Sequence, residues 1–172
     1  TNMIKLFEQF SNEQEIHDIC KKYRIKNYII NQDGSIYVTS GLILSDDHIT
    51  EIPIKINKVD GFIYLSYCEN LTTLKNIPVY VGGVFELRDN LNLKRIDYFP
   101  IEIRGSINIS SNNLTELNNI QGEVYESFNC RSNNITTLKG FPLIINGFLY
   151  LDNNPISIID SSIEVRGGKI SI

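Results

Sequence analysis

Seven residues that each close a short apolar alternation, Leu44, Leu65, Leu87, Ile109, Cys130, Leu151 and Ile172, are separated by 21, 22, 22, 21, 21 and 21 residues. Intervals this regular mark a chain built from stacked copies of one small unit, because periods of about 20 to 50 residues signal repeat architectures. A unit so short cannot bury its own apolar face. Each copy must therefore cover the next, and the chain has to grow as a solenoid rather than close around a single layered core.

The cleanest copy reads Ile107-x-Ile109-x-x-Asn112-x-Leu114-x-x-Leu117-x-x-Ile120. Alternation at Leu42/Leu44, Ile63/Leu65, Phe85/Leu87, Ile107/Ile109, Phe128/Cys130 and Leu149/Leu151 predicts a strand with one buried face in every copy. Further apolar positions follow at Ile49/Ile52, Leu71/Leu74, Leu93/Ile96, Leu114/Leu117, Ile135/Leu138 and Ile156/Ile159. One more precedes each next strand, at Val59, Val81, Ile103, Val124, Ile145 and Val165. Gly61, Gly83, Gly105, Gly147 and Gly167 stand two residues later, where glycine is expected to permit a turn that a side chain opposes. The fifth copy has Glu126 there, which predicts a locally different bend. Pro78, Pro100 and Pro142 share a return-side position, occupied by Gln121 in the fourth unit, and disfavour a helix there.

Position by position this phrase resembles the leucine-rich repeat, over residues 36–172. The resemblance implies that one Asn per copy sits inside the turn and bonds the backbone of adjacent coils. Here that ladder would be Asn90, Asn112, Asn133 and Asn154, with Asp47 and Cys68 as departures in the first two copies. An amide suits the role because it carries two donors and an acceptor. Asp46 is then expected to face solvent. The expected fold is mostly β: a right-handed leucine-rich-repeat solenoid of about six to seven coils of 21–22 residues, with parallel strands and an extended return side.

Residues 1–35 read differently, as a small α+β cap over the first coil. Ser11-Asn12-Glu13-Gln14 fits a capping box, and Ile16, Ile19, Cys20 and Tyr23 follow helical spacing. Asp33-Gly34 lies between two alternating segments and predicts a hairpin turn. The run IHDICKKYRIKNYIINQDGSIYV, followed by IPIKINKVDG, also resembles cytoplasmic repeat proteins of large tailed phages. That likeness implies a bacterial-cytoplasm setting.

Composition narrows the function classes. The formal charge is −4 and the basic residues are scattered, so the basic stripe of a nucleic-acid binder is absent. No apolar run approaches the ~20 residues of a membrane span, and the first residues do not read as a signal peptide. Cys20, Cys68 and Cys130 are far apart and form no CxxC pair, and His17 and His48 have no clustered ligand set. Reduced thiols and no metal or other cofactor are the expectation. The Asn-x-Thr triplets at Asn70, Asn113 and Asn134 recur with the repeat and read as part of it rather than as glycosylation acceptors. No phosphate loop, nucleophile elbow or HExxH motif occurs, so the chain reads as a non-enzyme.

What remains is the outward strand face. In-register parallel strands put equivalent residues in rows about 4.8 Å apart. One row reads Phe62, Val84, Ser106, Ser127, Phe148, and a second Tyr64, Glu86, Asn108, Asn129, Tyr150. A third follows as Ser66, Arg88, Ser110, Arg131, Asp152. Two aromatic pairs thus flank a small polar centre. Exposed aromatics are frequent interface anchors, so Phe62, Tyr64, Glu86, Arg88, Asn108, Asn129, Arg131, Phe148 and Tyr150 are the candidate partner-binding residues. The function expected is recognition of a protein partner through this face; the resemblance to phage repeat proteins implies a host or viral target, in host takeover or counter-defence. The alternative is a protein that sequesters a nucleotide or sugar in the Asn108/Asn129 centre. A further expectation is self-association through the edge strand at residues 168–172, tempered by Lys169.

Overall fold

A computed structural model describes residues 2–117, 120, 122–157, 163–168 and 170–172, with side chains from residue 12 onward. The expectations for Gln121, Ile159 and Lys169 fall outside the described residues.

The chain opens with helix α1 (Asn2–Lys22), followed by strands β1 (Tyr28–Ile30) and β2 (Ile36–Val38). The helix begins nine residues before the expected cap at Ser11, which leaves that residue within it. No Gly or Pro interrupts residues 2–11, and Met3, Lys5, Leu6, Glu8 and Gln9 are good helix formers. Ile16 and Cys20 are buried against the first coil, with Ile19 and Tyr23 packed beside them. β1 and β2 pair antiparallel, Ile30 opposite Ile36, around a turn in which Gly34 takes a φ of 76°.

Beyond the cap the strands alternate between two surfaces. On the first lie β3 (Leu42–Leu44), β5 (Ile63–Ser66), β7 (Phe85–Arg88), β9 (Ile107–Asn108), β11 (Phe128–Asn129), β13 (Leu149–Tyr150) and β15 (Ile170–Ser171). They form one parallel sheet of seven strands, ordered by chain position. On the second lie β4 (Ile56–Val59), β6 (Tyr80–Val81), β8 (Glu102–Ile103), β10 (Glu123–Val124), β12 (Ile144–Ile145) and β14 (Glu164–Val165). The architecture is a mostly β, parallel-strand solenoid of about six turns. α1 is the one helix among the described residues, and it is not long and apolar enough to cross a membrane.

The core is the stack of inward phrase positions. Leu65, Leu71, Leu74, Val81, Phe85, Leu87, Leu93, Ile109, Leu114, Phe128, Ile135 and Leu149 are all sealed from solvent. Each contributes about 1.5–3 kcal/mol on full burial. Pro78, Pro100 and Pro142 are buried on the return side. The glycine column has a different cause from the one expected. Gly61, Gly83, Gly105, Gly147 and Gly167 do not have positive φ. They are required because the coils approach too closely for a side chain: a Cβ on Gly105 would lie 2.7 Å from the backbone of Gly83 and Val84, and one on Gly147 2.7 Å from Glu126 and Ser127.

Candidate functional site: the outward strand face

The face is held by its turns. Asn90, Asn112 and Asn133 are buried, and Asn154 is half-buried. Their Nδ2 groups donate to Leu65 O (3.0 Å), Leu87 O (2.8 Å), Ile109 O (2.9 Å) and Cys130 O (2.9 Å), always the closing strand residue of the preceding coil. Asn112, Asn133 and Asn154 also donate to the closing residue of their own coil. Each Oδ1 accepts a backbone N–H. For Asn90 and Asn112 the donor is the preceding ladder residue, Cys68 or Asn90. For Asn133 and Asn154 it lies two residues further on, at Leu114 or Ile135. The shift coincides with the change in coil length from 22 to 21 residues.

The two departures behave differently. Burial raises the pKa of the Cys68 thiol, and its Sγ–H reaches Leu44 O at 3.5 Å, the carbonyl an amide would take. One donor of the rung survives without the others. Asp47 is exposed rather than inside the turn, and Asp46, expected in solvent, is half-buried. Asp46 Oδ1 accepts the His48 N–H at 2.8 Å and faces its ring nitrogen at 3.0 Å. These bonds and the nearby Lys22 hold the Asp46 carboxyl below its ordinary value.

Tyr67, Asp89, Ser111, Ser132 and Asn153 have φ of 55–59°, and each immediately precedes a ladder position. They form one recurring left-handed position of the repeat, and none of the five is glycine. A side chain there costs about 1 kcal/mol or more, tolerated because the following residue's bonds over-determine the turn. A second row of amides lies on the exposed side of the turns: Asn70, Asn92 and Asn113 donate to Asp47 O, Glu69 O and Leu91 O, each at 2.6 Å. The Asn-x-Thr pattern pointed to Asn70 and Asn113, whereas Asn92, followed by Leu-Lys, carries no such signal.

On this frame Tyr64, Glu86, Asn108, Asn129 and Tyr150 stand in register as one row, which Ile43 and Ser171 extend at its ends. Tyr64 and Tyr150 are four strand steps apart, about 19 Å along a flat sheet. The two aromatic pairs differ. Phe62 and Tyr64 stack with centroids 4.4 Å apart, and the Phe62 ring lies directly over Gly41 of the preceding coil. Phe148 and Tyr150 are tilted at 6.1 Å, and Phe148 is 39% exposed.

Between them the polar groups are largely paired. Glu86 Oε1 accepts from Arg88 Nε (3.0 Å) and Ser66 Oγ (3.4 Å). Asn108 Oδ1 accepts from the Ser110 backbone N–H and hydroxyl, and Asn129 Oδ1 from the Arg131 N–H. Arg131 lies 4.2 Å over the Tyr150 ring while Nε donates to Asp152. Bonds from Ser171 and then Arg131 hold the Asp152 carboxyl below its ordinary value. The site therefore offers half-buried aromatics and an oriented guanidinium on a rigid sheet.

The return side carries features that face reasoning missed. Lys58 Nζ lies 5.1 Å from the Tyr37 ring centroid and 5.0 Å from that of Tyr80, in register between them. Asp60 accepts from the Tyr37 hydroxyl and pairs with Lys58 at 2.8 Å. Val79, Ile101 and Leu143 form an exposed apolar column beside the proline positions. Its sequence signal was the residue after each proline.

No protein-family model, curated protein or solved structure matches this chain.

Proposed function

We propose that the chain is a non-enzymatic protein-binding module of the leucine-rich-repeat type that grips its partner with the outward face of the seven-stranded sheet. One observation carries the reading: Tyr150 stands half-buried in the face row, with the Arg131 guanidinium stacked on its ring and tied to Asp152. Rigid aromatic and arginine side chains lose little entropy on binding and supply most interface hot spots. The repeat phrase and its amide bonds support the leucine-rich-repeat part of the reading. The resemblance to phage repeat proteins extends it to a host or viral target met in a bacterial cytoplasm, in takeover or counter-defence.

A small ligand between Asn108 and Asn129 is the weaker reading, because the acceptor oxygens of both amides are already engaged by Ser110 and Arg131. The test is affinity capture from host cells with four immobilised proteins: wild type, Tyr64→Ala, Tyr150→Ala, and a return-side control, Lys75→Ala/Lys139→Ala. The proposal expects a protein held by wild type and the control and weakened by about 2 kcal/mol or more in Tyr150→Ala. Capture lost only in the control moves the function to the return side.

A further inference from the structure

The two surfaces of the first coil end differently at the cap. On the return side β2 is followed by β1, so that sheet continues into the hairpin. On the face, β3 is the last strand among the described residues and pairs with β5 alone. Leu42 N–H donates to Phe62 O, toward β5. The N–H and C=O of one strand residue point the same way and alternate along the strand, so those of Ile43 point to the open edge. Unpaired strand edges of this kind are templates for a further strand.

Among the described residues no strand pairs with this edge. A cleft of about 640 Å³ lies between it and the segment Lys22–Asn27 that leaves α1. Ile43 is 59% exposed beside it. The far wall is held by local bonds: Ile25 N–H returns to Cys20 O at 2.8 Å, and Asn27 Nδ2 reaches Ser40 Oγ at 3.2 Å. Lys22, Arg24 and Lys26 line this wall and are exposed, with no carboxylate in ion-pair distance among the described residues. The single acid of the cleft, Asp46, is engaged by His48. Lys22 Nζ lies 5.0 Å from the Tyr23 ring centroid and acts on Asp46 through space, without an ion pair. In a chain of net charge −4, three cations with no ion pair among the described residues form a local basic groove beside an open strand edge.

We propose that this edge binds an acidic peptide segment in extended form, as an eighth strand added to the face sheet beside β3. Main-chain bonds to Ile43 would hold it, and Lys22, Arg24 and Lys26 would select its charge. The site lies at the end of the sheet rather than on its face, so it stands or falls apart from the partner surface around Tyr64 and Tyr150.

The test is fluorescence polarisation with the full chain and a labelled, end-blocked peptide of three alternating glutamate–valine units. Binding should weaken about tenfold or more on raising salt from about 50 to 500 mM, and by a similar factor in Lys22→Glu/Arg24→Glu/Lys26→Glu. A glutamate–valine peptide N-methylated at alternate amides, made in both registers, should lose binding. Ile43→Pro, which removes an edge N–H that β5 does not use, should also lose it. Circular dichroism and thermal melting confirm that each variant is folded. Tyr64→Ala and Tyr150→Ala should bind like wild type. The proposal is overturned if the N-methylated peptides or a lysine–valine peptide bind equally well, or if no saturation is reached by about 1 mM at low salt.

Discussion

The face sheet runs unbroken through all seven of its strands, whereas the return-side strands fall into two sheets, β1-β2-β4-β6-β8 and β10-β12-β14. Both surfaces belong to the same coils, so the break between β8 and β10 has a local cause. It coincides with irregularities where the fourth copy passes into the fifth: Gly122 with φ 95°, and Glu126 where other copies have glycine. Side chains bridge the gap instead, with the Arg104 guanidinium 4.8 Å over the Tyr125 ring and Ser106 Oγ 2.7 Å from Glu126 Oε2. The face tolerates this junction because its register is set by the amide ladder, which is intact at Asn112 and Asn133. The return side depends on close backbone approach and lacks such a clamp.

If that account is right, removing the clamp has the largest effect. Asn112→Ala would leave the carbonyls of Leu87 and Ile109 and the N–H of Asn90 without their partner. A loss of about 3 kcal/mol in a denaturant melt is expected, since each unsatisfied buried group costs about 1–3 kcal/mol and some relax toward water. Cys68→Ala removes one weak thiol donor and should cost about 1 kcal/mol. Equal losses would mean that the ladder is not what holds the face together. Gly105→Ala tests the other surface. Its Cβ meets backbone rather than a yielding side chain, so a cost of about 1–3 kcal/mol is expected.

Much of this frame was legible in the residues, and the part that was not has physical reasons. Apolar spacing exposes burial directly, so inward positions such as Leu71, Leu93 and Ile135 could be placed by counting. The ladder residues were placed by the resemblance to the leucine-rich repeat, and an amide with two donors and an acceptor suits the bonds that they make. Glycine was ambiguous, since the same letter serves a left-handed turn or a crowded backbone, and here it serves crowding. The left-handed positions, Ser111 and Ser132 among them, were hidden because no residue type advertises them. Asp46 is half-buried and Asp47 exposed, the reverse of the expectation, and the first turn lacks the Asn present in later copies. In the candidate site, the rows could be read from strand alternation. The stacking of Phe62 over Gly41, the Arg131–Tyr150 contact and the Lys58 sandwich depend on rotamers that sequence does not encode locally.

The left-handed turns sharpen the comparison at intermediate scale. Ser111→Ala should change stability by less than about 0.5 kcal/mol, as ordinary surface replacements do. Ser111→Val should cost about 1–3 kcal/mol, because a β-branched residue resists positive φ. Ser132 should repeat both results, read by the same denaturant melts. If valine is tolerated at both positions, the turn is not held in this conformation and the ladder geometry needs revision.

On the return side, hydrogen exchange can locate the break without any mutation. Arg104 N–H donates to Val81 O and Asn146 N–H to Val124 O, both at 3.0 Å, while Tyr125, the equivalent residue at the gap, has no strand partner across it. Its amide should exchange about tenfold or more faster than those of Arg104 and Asn146, since local opening is easiest where backbone bonds are missing. Equal protection would show that the two return sheets are joined in solution.

The smallest effect concerns the far end of the face, where Asp152 accepts from Ser171 and Arg131 and so ties β15 to the row above it. Its carboxyl is depressed in the folded protein, first by the Ser171 hydroxyl and then by Arg131. A depressed folded value means that the unfolded chain takes up the proton first. The contribution is therefore fully present above the ordinary carboxylate range and is lost as pH falls through the lower folded value. Asp33, Asp46 and Asp60 are depressed too, so wild type should lose stability in that window through several groups at once. Asp152→Asn should remove one share of this acid sensitivity while changing little at very low pH. Thermal melts of the two proteins should diverge at neutral pH and converge on acidification. Parallel curves across the whole range would show that the Arg131–Asp152–Ser171 cluster does not persist in solution, leaving Arg131 free to swing away from Tyr150 and weakening the partner surface proposed there.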